Sequence, residues 1–139
     1  MDATITARFG RSTDAAMVRS ALRNYDRPSA LATSPLAVGA TPLQRSNSVR
    51  ALLEQAVQCA FGASLDERLQ RETVQLGYLD PTITHEEAAT RLHLSRASYF
   101  RRLRVAVDRV ADWVILAAES PEASSGRRAR AAPGRRGAA

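Results

Sequence analysis

From Ser12 onward the apolar positions of the chain recur with a helical period. Ala15, Val18, Leu22 and Tyr25 follow one another at three- and four-residue steps, a spacing that predicts a first helix over residues 13–25. Pro28, Pro35, Gly39 and Pro42 then interrupt regular structure, so residues 27–46 are expected to form an extended connection, with Leu31, Leu36, Val38 and Leu43 available to pin it to a core. A second helix is expected from near Ser48, carrying Val49, Leu52, Leu53, Ala56, Val57, Ala60 and Phe61 on one broad apolar face until Gly62 ends it. Ser64 and Glu67 make a Ser-x-x-Glu capping pattern. It opens a third helix with Leu65, Leu69, Val74 and Leu76 inward, stopped by Gly77 and the Asp80-Pro81 pair.

The most informative stretch is residues 84–104. Thr84 and Glu87 form a second capping pattern, opening a short helix with Ala88, Ala89 and Leu92 inside. Ala89 is small where two crossing helices approach most closely, Leu92 and Leu94 flank a turn, and Ser95 can cap the helix that follows. These features describe a helix-turn-helix. Its turn normally needs a residue of positive φ, and in this chain that role falls to His93, one of the few non-glycine types that tolerate it. From Arg96 a long helix follows, with Tyr99, Leu103, Val107, Val110, Val114 and Ala117 as its core stripe. Ala97, Arg101, Arg104 and Asp108 then face outward, with Arg96 and Phe100 on the flanks.

Composition narrows the chemistry. Only 5% of the 139 residues are aromatic, so the core must come mostly from Leu, Val and Ala, and a single all-α domain over residues 13–118 fits that supply. Residues 1–12 are expected to be a flexible arm, and residues 119–139, rich in Ser, Gly, Pro, Ala and Arg, a disordered basic tail. The net charge of +6 favours a polyanionic partner, although every one of the 20 basic residues is Arg, a bias that a G+C-rich genome also produces. Without Lys, a Walker-type phosphate loop and Schiff-base catalysis are excluded. Cys59 is alone and flanked by Val57, Ala60 and Phe61, so it is expected to be an inert buried thiol. His85, beside Glu86 and Glu87, is expected in solvent, and its spacing from His93 does not make a metal site. No apolar run is long enough to span a membrane and the N-terminus has no secretory pattern, so the expectation is a soluble, cytoplasmic protein without cofactor or metal.

The segment from Leu79 to Val114, and most of all "LSRASYFRRL" (Leu94 to Leu103), resembles the C-terminal helix-turn-helix region of large actinobacterial ATPase-type and regulator proteins. "RPSALATSPL" (Arg27 to Leu36) resembles an element upstream of that region, so the likeness covers roughly residues 13–118. The resemblance implies a regulatory or DNA-associated role. In that family the module sits behind a nucleotide-binding or other effector domain, which leads us to expect a fragment, an independently encoded remnant or the partner of a separate protein.

The leading expectation is therefore a non-enzymatic, transcription-related protein that binds double-stranded DNA. Arg96, Ala97 and Phe100 would reach base edges, Arg101, Arg102 and Arg104 would meet phosphates, and Ser95 and Ser98 would complete the contact surface. A homodimer is expected, because one short recognition helix seldom gives enough affinity. Its surface would come from the helix at 48–61 or from Trp113, Leu116 and Ala117. The alternative is a protein-interaction module that uses the helix-turn-helix as scaffold, works with a separately encoded ATPase or regulator, and presents its Arg residues to an acidic partner.

Overall fold

The computed structural model describes residues 13–119, and among them every regular element is helical, with no strand. The N-terminal arm and all of the tail except Glu119 lie outside the described residues. Helix α1 (Ala15–Arg23) starts where the Asp14 carboxylate accepts the Met17 N–H at 3.0 Å, and it buries Val18, Ala21 and Leu22. It is shorter than the predicted 13–25 because Asp14 takes the cap and Asn24 the C-terminal one.

The connection expected over 27–46 is largely helical instead. Pro28 opens a short helix, α2 (Pro28–Ala32), and Pro42 opens α3 (Pro42–Cys59), six residues earlier than Ser48. Both prolines occupy the first helical turn, where the missing N–H costs nothing and the fixed φ suits the helix. Expected as interruptions, they are in fact starts. The loop between is tied down by its own polar groups. Arg45 Nε donates to the Ala32 carbonyl at 2.7 Å, Ser48 Oγ accepts the Val38 N–H at 2.9 Å, and Gln44 Oε1 accepts the Ala40 N–H at 2.9 Å. Gly39 has φ +143° and lies so close to Gln44 that a β-carbon would come within 2.8 Å of its Cβ, so only glycine fits. Leu31 and Leu36 are buried as expected, whereas Leu43 is 68% exposed.

Val49, Leu53, Ala56 and Val57 of α3 are fully buried. Cys59, predicted to be buried, is exposed. It closes α3 about 200° around the helix from Val57, so neighbours in sequence are not neighbours in the core. Helix α4 (Leu65–Val74) is capped by Ser64, whose Oγ accepts the Glu67 N–H. Its buried residues are Gln70, Thr73 and Val74, while Leu65, expected inside, is 76% exposed. Leu65 stands about 140° around the helix from Gln70 and about 180° from Val74, away from the face that meets the core.

Gly77 does not stop the chain there. A π-helical turn (Gln75–Leu79) carries it onward, and Gly77 lets this turn approach the core: a β-carbon would stand 2.6 Å from Tyr99 Oη and 3.3 Å from Leu103 Cδ1. Helix α5 (His85–Arg91) and the 24-residue α6 (Arg96–Glu119) complete the fold. Helix α6 is its axis, packing against α1, α3, α4 and α5, while α2 rests on α3. Tyr99, Leu103, Val107, Val110 and Val114 bury the predicted stripe, joined by Ala106 and Ala111. Among the described residues no helix is long and apolar enough to cross a membrane.

Candidate nucleic-acid interface

Local chemistry builds the α5–α6 unit almost without help from the rest of the chain. Thr84 Oγ1 accepts the Glu87 N–H at 3.1 Å while Glu87 Oε1 accepts the Thr84 N–H at 3.0 Å, a reciprocal cap that starts α5. The helix ends in a Schellman turn: the His93 N–H reaches the Thr90 carbonyl at 3.1 Å and the Leu94 N–H the Ala89 carbonyl at 2.9 Å. His93 has φ 58°, the one positive-φ residue other than glycine among those described. Ser95 then caps α6, its Oγ accepting the Ser98 N–H at 3.2 Å and its carbonyl the Tyr99 N–H at 2.8 Å. Ala88 and Ala89 are buried, and Leu92 and Leu94 pack at the core edge.

The site residues expected on α6 separate into two groups. Ser95, Arg96, Ala97, Arg101 and Arg104 are exposed, with Ser98 beside them. Arg101 lies back along its own helix, donating to Ser98 Oγ at 3.1 Å. Together they form one surface at the N-terminal half of α6, where the unsatisfied N–H groups of the first turn add partial positive charge.

Arg102 does not belong to that surface. About 100° around the helix from Arg101, it points to α4 and pairs with Asp66 at 3.0 Å. Arg109, seven residues on, does the same with Glu67 at 2.7 Å and lies over the Phe61 ring. The two arginines are a row that holds α4 against α6.

Phe100 is not outward either. Half-buried, it packs edge-on against Tyr99 and His85, with centroids 5.0 and 5.3 Å away. Its free side carries the Arg96 guanidinium 5.2 Å from the ring centroid. Phe100 therefore sets where Arg96 stands, a role that spacing alone did not reveal.

His85 departs furthest from expectation. Instead of facing solvent it is half-buried among Tyr78, Tyr99 and Phe100, and its Nδ1 shares a 2.7 Å hydrogen bond with Tyr99 Oη. Burial, with a smaller effect from the positive charge of Arg96, holds its pKa below the ordinary value. Burial likewise pushes the Tyr99 hydroxyl up to about 12. Both groups are therefore neutral near pH 7, and their contact locks the start of α5 onto α6.

Sequence reasoning missed a second basic element. Arg19 and Arg23, one turn apart on α1, line the same recess as Arg104. Their i, i+4 spacing beside Val18 and Leu22 was visible, but that α1 docks beside Arg104 depends on contacts about eighty residues apart. Of the apolar surfaces considered for pairing two copies, the 48–61 stripe is consumed by the core and Trp113 is half-buried, leaving Leu116 exposed. No protein-family model, curated protein or solved structure matches the chain.

Proposed function

We propose that the chain binds double-stranded DNA through the α5–α6 helix-turn-helix and serves as a transcriptional regulator or as the DNA-binding part of one. The observation that carries this reading is the coincidence of a locally complete helix-turn-helix with an exposed basic row at the start of its second helix. In such a unit the early residues of the second helix enter the major groove. On this reading Arg96, steadied on Phe100, and Ala97 meet base edges, and Arg101 and Arg104 meet phosphates. Ser95 accepts the Ser98 N–H in the cap and keeps its O–H proton to donate. Arg102, engaged with Asp66, is left out of the contact set, and Phe100 acts through Arg96.

A pair of copies reading two half-sites about 34 Å apart would give the affinity that one such helix lacks, and Leu116, 64% exposed on α6, is available to a pairing surface. The test is amide-shift mapping by NMR during titration with a mixed-sequence duplex. Perturbations concentrated between Thr84 and Arg104 are expected. Perturbations confined to α2 and α3 would overturn the proposal.

A further inference from the structure

Helices α1 and α6 border a recess of about 390 Å³, within the size range of small-molecule sites. Its floor carries the rings of Tyr78 and Phe100, above the almost fully buried Leu103 and Val107 of α6. Its rim is cationic. Arg19 is held by Asp108 at 3.5 Å, the single acid in the lining. Arg23 and Arg104 have no ion pair or side-chain hydrogen bond among the described residues.

This combination selects a ligand class. Inorganic phosphate would satisfy the guanidinium groups but leave the floor wet, and a neutral hydrocarbon would cover the floor but displace water from two cations without replacing it. A carboxylate matches the planar donor fork of Arg, and a flat aromatic body can stack on the Tyr78 and Phe100 rings. We propose that the α1–α6 recess binds a small amphipathic carboxylate of about a dozen to fifteen non-hydrogen atoms, its anionic end on Arg23 and Arg104 and its body over the Phe100 and Tyr78 rings. Binding at this site stands independently of DNA. Because Arg104 also belongs to the proposed DNA surface, the ligand and a duplex compete for it, and that consequence alone rests on the DNA reading.

The test is isothermal titration of the full chain, without DNA, using 2-naphthoate as probe, with 2-naphthamide and inorganic phosphate as comparisons. Saturable 2-naphthoate binding with a dissociation constant of about 0.1–1 mM is expected. 2-Naphthamide is expected to bind at least about tenfold more weakly, as is 2-naphthoate to the Arg23→Gln/Arg104→Gln double variant, whose fold is checked by circular dichroism. No saturation by 2-naphthoate, equal binding of the amide, or an undiminished affinity in the folded double variant would each overturn the site. Displacement of 2-naphthoate by phosphate at equal concentration would show a bare anion site and overturn the amphipathic ligand. The amide comparison decides the matter on the unmodified protein even if the double variant fails to fold.

Discussion

His93 shows how a single backbone torsion organises the candidate site. Its φ of 58° turns the chain between Leu92 and Leu94, and a side chain branched at Cβ cannot adopt that conformation cheaply. His93→Ile is expected to lower stability by about 1–2 kcal/mol in urea denaturation, whereas His93→Gly should be neutral or better; equal losses in the two would show that the imidazole, not the torsion, matters. Gly77 is set by space rather than torsion. The atom it would strike, Tyr99 Oη, ends a fully buried side chain already bonded to His85, so it cannot swing away. Gly77→Ala should therefore cost about 1–3 kcal/mol by the same measurement, and a variant as stable as the parent would mean that the π-helical turn shifts freely.

His85 adds a dependence on pH with a definite sign. Because its folded pKa lies below the ordinary 6.5, the unfolded chain takes up the proton first as pH falls, so stability is lost as pH drops below about 6.5 and levels off once the folded imidazole is protonated. Glu67 and Asp80, whose pKa values are also lowered by their hydrogen bonds, act with the same sign but in more acid solution, below their ordinary values of 4.5 and 3.8. The thermal midpoint should fall between about pH 7 and pH 5, and His85→Gln should flatten that slope. An unchanged slope in the variant would assign it elsewhere.

At the scale of elements, what could be read from the sequence was what is encoded within a few residues. The Thr84–Glu87 cap, the positive φ at His93, the Ser95 cap and the stripe from Tyr99 to Val114 all rest on local spacing, and each appears in the structure. The prolines at 28 and 42 were legible only in part, because the same residue can break a helix or begin one, and the difference lies in the polar groups that tie down the loop before it. Faces set by tertiary docking were not legible. Arg101 and Arg102 are adjacent in sequence, yet the packing of α4 assigns one to solvent and the other to Asp66. His85 looked like a solvated first-turn residue until the π-helical turn brought Tyr78 against it.

For the whole molecule, α6 is both scaffold and candidate reader. Its inner face is the core, its α4 side is stapled by Arg102 and Arg109, and its remaining side carries the exposed arginines beside the α1 recess. This division makes the central proposal sharply testable, since charge can be removed from one side of the helix at a time. The decisive measurement is fluorescence-anisotropy titration of labelled random duplex DNA at several salt concentrations, comparing the parent chain with Arg101→Ala/Arg104→Ala and with Arg102→Ala. We expect binding that weakens steeply with salt, is lost or reduced at least about tenfold in the double variant with a shallower salt slope, and is little changed by Arg102→Ala. Absence of binding at low salt, or equal binding by the double variant, would contradict the account.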